Sequence, residues 1–160
     1  MRIICNASPL IFLSKIGRLD LLSDLFTEVL VPVGAWDEAT RKPDAATENL
    51  KALKASGKIT VFAVNNRLAV SAMIGRLHRG EVEVIVGAGE QKVSGVILDD
   101  GYARSKAKQL GLSVTGTLGV LVAGHHQGVV PDLNSDIDSL LKIGLRVSGS
   151  IIEQIKKELT

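Results

Sequence analysis

The sequence predicts an α/β fold in which a largely parallel sheet is covered by helices on both faces. Short apolar runs rich in valine, isoleucine and leucine alternate with amphipathic helical segments along the chain. Such alternation is typical of parallel strands joined by helical crossovers. The length of 160 residues suits one compact domain, so we expect a single domain over residues 1–160, with C-terminal helices from about residue 132.

Five segments are predicted as strands because they are short, apolar and rich in β-branched residues. They are residues 2–5, 28–31, 59–64, 94–98 and 112–115. The second ends at Pro32, which cannot continue a central strand. The fourth runs directly into Asp99 and Asp100. Cys5 closes the first strand, and we expect it to pack as a small buried apolar side chain.

Helices are predicted where apolar residues recur at helical spacing between start and stop signals. Ser8-Pro9 predicts a start with serine as N-cap and proline in the first helical position, and Pro43 predicts another start. Glycines 17, 57, 111 and 128 mark helix ends. The predicted helices are residues 8–16, 19–26, 34–40, 43–56, 67–77, 103–110, 117–127, 132–143 and 150–159.

The segment 81–86, Glu-Val-Glu-Val-Ile-Val, is ambiguous. Its strict alternation and β-branching favour a half-buried strand. The Gly-Ala-Gly-Glu that follows is compatible with a helix but weakens it. Pattern alone does not decide between the two.

Composition narrows the class of protein. The apolar fraction of 46% and the charged fraction of 22% indicate an ordinary folded core. A net charge of +2 does not by itself indicate nucleic-acid binding, and an aromatic content of 3% argues against base stacking on aromatic platforms. One cysteine excludes an internal disulfide and a cysteine-rich zinc site. We find no membrane span or signal peptide and expect a cytoplasmic protein.

Polar side chains follow several of the predicted strands. In a parallel sheet, ligands bind outside the carboxyl ends of the strands, near the point where the strand order reverses. Clusters of acids at such an edge hold divalent cations for phosphodiester chemistry. The candidate residues are Asn6, Glu38, the pair Glu81 and Glu83, and the pair Asp99 and Asp100.

Each of these positions also has a structural interpretation. Asn6 suits a helix cap or turn, and Glu38 suits a solvated helix face. Glutamates 81 and 83 suit the first turn of a helix, where the helix dipole favours carboxylates. Asp99-Asp100-Gly101 suits a turn or an N-cap. The four sites favour a function only when they are taken together.

The combination and order of several motifs resemble the PIN-domain family, and more closely a branch related to VapC-type toxins. The likeness runs from Met1 to about Leu145. The segments that carry it are residues 6–11, 15–22, 80–85, 98–100 with 103–104, and 110–121.

The resemblance implies a three-layer α/β/α sandwich with a central parallel sheet and an endoribonuclease centre that uses Mg²⁺ or Mn²⁺. It also implies that residues from Glu81 onward begin a helix. By motif match the acidic slots fall on Asn6, on Glu38, on Glu83 with Glu81 adjacent, and on Asp100 or Asp99. Ser8, Arg79 and Arg104 are candidate substrate-binding residues. RNA as substrate, a homodimer and a silencing antitoxin protein are further implications.

One position departs from the family pattern, because the first slot is normally aspartate and here it is Asn6. An amide oxygen can ligate Mg²⁺ but brings no charge. The alternative is therefore a catalytically weakened PIN-like domain that serves as an RNA- or protein-binding module. A second alternative is a Rossmann-type nucleotide-binding domain, suggested by residues 116–119, Gly-Thr-Leu-Gly. That glycine motif is incomplete and does not follow the first strand.

Overall fold

A parallel sheet forms the centre of the protein. The structure is a computed structural model that describes residues 1–158. Within this range five strands pair in the order β3-β2-β1-β4-β5, all in parallel register. The strands are β1 (Arg2–Cys5), β2 (Glu28–Pro32), β3 (Thr60–Phe62), β4 (Gly95–Ile97) and β5 (Ser113–Thr115).

Helices connect the strands and continue beyond the last one. They are α1 (Ala7–Lys15), α2 (Leu21–Leu25), α3 (Val33–Ala39), α4 (Ala45–Ala55), α5 (Arg67–Met73), α6 (Arg79–Gln91), α7 (Gly101–Gln109), α8 (Thr117–His126), α9 (Leu133–Lys142) and α10 (Gly149–Glu158). Leu159, the last residue of the predicted helix 150–159, lies outside the described residues. None of the described helices is long and apolar enough to cross a membrane.

Two apolar cores lie on opposite faces of the sheet. Successive side chains of a strand point to opposite faces, so Ile3 and Cys5 of β1 join one core while Ile4 joins the other. The first core contains buried residues of α1, α4, α8 and α9, and the second contains buried residues of α5, α6 and α7. The three-layer α/β/α sandwich with a central parallel sheet is therefore confirmed.

Two helix starts differ from the prediction. The helix α1 begins at Ala7 with Asn6 at the N-cap, so Ser8 and Pro9 lie inside its first turn. The helix α4 begins after Asp44, whose carboxylate accepts a hydrogen bond of 2.9 Å from the backbone N–H of Thr47. Proline is tolerated anywhere in a first turn because its missing N–H is not needed there, so it locates a helix start only to within a few residues.

The ambiguous segment 81–86 is helical, as the resemblance implies, and it lies within α6. All residues from Gly80 to Ile85 are buried. Alternation distinguishes a strand from a helix only when one face is exposed, and α6 is covered by α3 and by strands β1, β2 and β4. The pattern therefore carried no reliable information about this element.

The topology creates a switch point between β1 and β4. From β1 the chain builds outward through β2 and β3, and it then crosses back to add β4 and β5 on the other side of β1. The backbone N–H of Asn6 donates a 3.1 Å hydrogen bond to the carbonyl of Ile97, which joins the ends of the two strands. The carboxyl ends of β1 and β4 therefore lie side by side, where open parallel sheets bind their ligands.

Candidate metal centre

Asn6 follows β1 and leaves its side-chain oxygen without a partner. Its backbone (φ −82°, ψ 171°) is that of an N-cap residue, yet its side chain makes no capping hydrogen bond to α1. The residue is 5% exposed, and Oδ1 is buried without a hydrogen-bond partner in residues 1–158. Buried polar atoms are almost always satisfied, so this oxygen is an unused acceptor that a ligand could engage.

Glu81 lies in the first turn of α6, and its two carboxylate oxygens have different surroundings. Its Oε1 accepts a 3.1 Å hydrogen bond from the backbone N–H of His78, which caps the helix. Its Oε2 is buried and has no partner in the described part of the chain. Burial raises the pKa of the Glu81 carboxyl, and the hydrogen bond from His78 opposes this rise. Asp100 adds to the rise through its negative charge and through a hydrogen bond that only a protonated carboxyl can make.

Gly80 lets Glu38 approach Asn6. A β-carbon at Gly80 would lie 3.1 Å from Oε2 of Glu38 and 3.2 Å from Oδ1 of Asn6. The two oxygens therefore converge on one point beside α6, in a space that most side chains at position 80 would reduce. Glu38 is carried there by α3 and is exposed, so it lies at the mouth of the group.

The two aspartates after β4 have different roles. Asp100 is exposed and caps α7, with Oδ2 accepting a 2.9 Å hydrogen bond from the N–H of Ala103. Asp99 accepts two hydrogen bonds from Thr117, one from its backbone N–H at 2.8 Å and one from its hydroxyl at 2.6 Å. Both oxygens of Asp99 thus hold the start of α8, whereas Asp100 lies close enough to Glu81 to raise its pKa.

Glu83 is buried like Glu81 but lies on the other side of α6. Its Oε1 accepts a 3.0 Å hydrogen bond from the N–H of Gly34, and its Oε2 lies 2.7 Å from Nε of Arg79 and 3.6 Å from Nη2 of Arg67. A β-carbon at Gly34 would lie 2.6 Å from this Oε2, so the contact depends on glycine. The structure therefore brings Glu81, not Glu83, to Asp100.

The predicted substrate-binding residues lie around this group. Ser8 is half-buried in the first turn of α1. Arg79 pairs with Glu83 and lies 3.9 Å from the carboxylate of Asp37. Arg104 donates a 2.9 Å hydrogen bond from Nη1 to the carbonyl of Leu98, so it supports the turn after β4.

Two pairs of oxygen donors lie close together near this edge of the sheet: Glu38 with Asn6 beside Gly80, and Glu81 with Asp100. Among residues 1–158, no group of three or more histidine, cysteine, aspartate or glutamate side chains is arranged to hold a metal ion. The donor set nevertheless fits a hard cation, because two of its oxygens are buried without partners and all of them are carboxylate or amide oxygens. The residues concerned are Asn6, Glu38, Glu81 and Asp100.

Comparison with known families gives an independent result. A family model described as a PIN domain matches residues 2–160. Comparison with curated proteins gave no match. PIN domains have a nuclease fold, generally depend on a divalent metal and generally bind RNA. The matched region includes every element described above, and the chain therefore belongs to the PIN-domain family.

Proposed function

We propose that this protein is a metal-dependent endoribonuclease, related to VapC-type toxins, that hydrolyses phosphodiester bonds of RNA at the edge between β1 and β4. The observation that carries the proposal is the pair of buried oxygens without partners, Oδ1 of Asn6 and Oε2 of Glu81. Asn6 follows β1 at the switch point, Glu38 lies near it beside Gly80, and Asp100 lies close to Glu81.

We assign Mg²⁺ or Mn²⁺ to four residues: Asn6, Glu38, Glu81 and Asp100. When bound, such an ion polarises a phosphoryl oxygen and favours deprotonation of the attacking water. Glu83 and Asp99 are left out of this set because hydrogen bonds or ion pairs already engage both oxygens of each carboxylate, whereas Glu81 keeps one unused oxygen. Our assignment thus replaces Glu83 by Glu81 in the third slot.

The residues of the centre differ in what they contribute. The Glu81 carboxyl holds its proton more tightly than an ordinary glutamate, and a cation beside it would favour the ionised form. Glu38 is exposed at the mouth, where its carboxylate meets both solvent and an incoming phosphodiester. Asn6 supplies a rigid, neutral oxygen, since its backbone is fixed between β1 and β4 by the hydrogen bond to Ile97.

The amide at position 6 also favours a second candidate function. With Asn6 the centre has one carboxylate fewer than a set with aspartate at this position, which weakens its attraction for a doubly charged ion. A domain that binds RNA or a protein partner with little or no turnover is therefore the alternative.

The substitution Asn6→Asp separates the two candidates. We expect it to tighten Mn²⁺ binding about tenfold, equivalent to ~1.4 kcal/mol, because it adds a carboxylate to the centre. Asn134→Asp adds the same charge at an exposed position in the first turn of α9 and is the matched control. Mn²⁺ binding is measured by calorimetry, and cleavage is measured on a labelled single-stranded RNA with and without EDTA.

Metal-dependent cleavage by the wild-type protein supports the nuclease. If neither the wild-type protein nor the Asn6→Asp variant cleaves RNA while both bind it, the binding module is the better description. If Asn6→Asp changes Mn²⁺ affinity no more than Asn134→Asp, the assignment of position 6 to the metal is wrong.

The homodimer, the antitoxin partner and the cytoplasmic location stay predictions from the family resemblance and the composition. Light scattering on the purified chain tests the dimer. Co-purification with the product of an adjacent reading frame tests the antitoxin.

A further inference from the structure

Two arginines share one buried carboxylate beside the metal centre. Nε of Arg79 lies 2.7 Å from Oε2 of Glu83, and Nη2 of Arg67 lies 3.6 Å from the same oxygen. The Glu83 side chain is 1% exposed, whereas those of Arg67 and Arg79 are 54% and 52% exposed. Each guanidinium group thus contacts the buried carboxylate of Glu83 on its protein side, and much of each arginine side chain faces solvent.

The loop that carries Arg67 is fixed to the same helix. Glu90 of α6 accepts hydrogen bonds from the backbone N–H groups of Asn65 (2.8 Å) and Asn66 (3.0 Å). Glu83 and Glu90 are seven residues apart, which places them on one face of α6. One carboxylate therefore fixes the loop and the other orients the guanidinium group of Arg67, so Arg67 is positioned twice by α6.

A purely structural brace between α3 and α6 does not require both arginines. Glu83 already receives the N–H of Gly34 and the short contact from Arg79, which satisfy both of its oxygens. Arg67 adds a second positive charge to a single carboxylate. A paired, half-exposed set of guanidinium groups is better explained by an anion that is bound from the solvent side.

One member of the arginine pair is adjacent in sequence to a glycine that lies against the proposed metal centre. Arg79 immediately precedes Gly80, which lies against Oε2 of Glu38 and Oδ1 of Asn6. The carboxylate of Asp37, next to Glu38, lies 3.9 Å from Nη1 of Arg79. An acidic centre repels a polyanionic strand, so cations fixed at its border are needed to hold the strand while a metal-bound centre acts on it.

We propose that Arg67 and Arg79, held by Glu83, form a phosphate-binding pair that grips the backbone of single-stranded RNA next to the metal centre. This proposal rests on the proposed function for its choice of RNA as ligand. Two planar guanidinium groups, already oriented by a buried carboxylate, lose little side-chain entropy when they bind a phosphate. The pair makes no base contact in this proposal and therefore adds affinity without sequence preference.

The experiment measures binding without cleavage. The fluorescence anisotropy of a fluorescein-labelled single-stranded RNA is titrated in EDTA, at several salt concentrations, with wild-type protein and the Arg67→Ala, Arg67→Lys and Arg79→Ala variants. Arg2→Ala is the matched control, because Arg2 also pairs with a glutamate, Glu28 at 2.7 Å, but lies at the amino end of β1, away from the site edge. Thermal unfolding of each variant reports on its folding.

We expect Arg67→Ala to weaken binding about fivefold to tenfold and to reduce the salt slope by about 0.7, the value for one phosphate contact on a single strand. Arg67→Lys should recover at least half of the lost affinity in logarithmic terms, because it keeps the charge. Arg79→Ala should weaken binding at least as much, although it also removes a partner of Glu83. Arg67→Ala leaves the Arg79–Glu83 contact intact and is therefore the decisive variant.

Equal affinity of the Arg67→Ala and Arg2→Ala proteins would overturn the proposal, as would a wild-type protein that binds no RNA in EDTA. A separate cleavage assay with Mn²⁺ tests the proposed function. Loss of RNA affinity in Arg67→Ala without any cleavage by the wild-type protein would support the phosphate-binding pair and overturn the nuclease. If cleavage occurs, Arg67→Ala should raise KM and leave kcat within about twofold.

Discussion

The two faces of α6 carry glutamates two residues apart, and their surroundings differ completely. On one face, Oε2 of Glu81 is buried without a partner, beside Asp100 and close to the end of β1. On the other face, both oxygens of Glu83 are engaged by Gly34 and Arg79, and Arg67 adds a further positive charge. The two residues have the same chemistry and both are buried.

The comparison shows that burial does not distinguish a structural carboxylate from one available to a ligand. The distinction lies in whether each oxygen has a partner within the protein. Glu83 contributes to the packing of α3 against α6 and to the orientation of arginines. Glu81 retains an unused acceptor, and a buried acceptor without a partner is costly unless something else fills the site.

The same contrast recurs between Asp99 and Asp100, which are adjacent in the chain. Thr117 occupies both oxygens of Asp99, whereas Asp100 caps α7 through Oδ2 and is exposed. In our proposal, each of these two acidic pairs therefore has one member that supports the fold and one member that belongs to the metal centre.

The largest effect that separates the two glutamates is expected for Glu81→Gln. Loss of this carboxylate should lower metal-dependent RNA cleavage by about 10²–10³-fold, the range for removal of a group that stabilises developing charge. We also expect Mn²⁺ to raise the Tm of the wild-type protein, and Glu81→Gln should abolish that rise. Cleavage rates and Mn²⁺ titrations measure both effects.

The control for this variant is Glu48→Gln, an exposed glutamate on α4 that lies outside the centre. If the Glu81→Gln protein cleaves RNA as fast as the Glu48→Gln protein, Glu81 does not belong to the proposed site. The proposed contrast between Glu81 and Glu83 would then be wrong.

The second-largest expected effect is a loss of unfolding free energy when Glu83 is replaced. Glu83→Ala removes the acceptor for the N–H of Gly34 and the partner of Arg79, which should cost about 2–3 kcal/mol of unfolding free energy. Urea denaturation measures the change, with Glu48→Ala as a control for the exposed helix surface. A cost below about 0.5 kcal/mol would show that the ion pair does not stabilise the fold.

The fold was predictable because its signals are local. The alternation of strands and helices predicted a parallel sheet with two covered faces, and this prediction is confirmed. The roles of Glu81 and Glu83 were not predictable from pattern. In a strand, residues two apart share a face, but in a helix they are rotated about 200° from each other. The assignment therefore depended on the element, and pattern did not decide the element because residues 80–85 of α6 are all buried.

Contacts between segments that are distant in the chain also could not be inferred from the sequence pattern. Arg67 was not singled out because nothing near it in the chain is acidic. Its partner Glu83 belongs to a later helix, as does Glu90, which binds the loop before Arg67. Thr117 was considered only as part of a glycine motif, although its role is to bind Asp99. Gly80, directly before Glu81 in the first turn of α6, was a local signal of close approach.

A third, smaller effect is expected to separate Asp99 from Asp100. Asp99→Asn should lower the unfolding free energy by about 1 kcal/mol, because an amide satisfies only one of the two donors of Thr117. Asp100→Asn should change stability by less than that, since Asn is an equally good N-cap, but should weaken Mn²⁺ binding several-fold. Urea denaturation measures the stability of both variants, and calorimetry measures their Mn²⁺ affinity. If Asp99→Asn weakens Mn²⁺ binding and Asp100→Asn lowers stability instead, the roles of the two aspartates are the reverse of those proposed.

The smallest expected effect concerns the metal-free protein and its dependence on pH. Because burial and Asp100 raise the pKa of Glu81 in the folded state, the folded protein binds that proton more tightly than the unfolded chain does. The contribution of Glu81 to stability is therefore fully present below the pKa of an unfolded glutamate and is lost as the pH rises through the folded value.

Glutamine at position 81 does not ionise, so in EDTA the Glu81→Gln protein should have the higher Tm by about 1–3 °C near pH 7. The difference should shrink as the pH falls and disappear near about pH 3, below the pKa of an unfolded glutamate, where the wild-type carboxyl is protonated in both states. Melting curves in EDTA across this range measure the difference, and Glu83→Gln should show no such gain, because its carboxylate is stabilised by Arg79. A wild-type protein that is more stable than Glu81→Gln at neutral pH without metal would mean that Oε2 of Glu81 already has a partner, and the contrast between the two faces of α6 would then be lost.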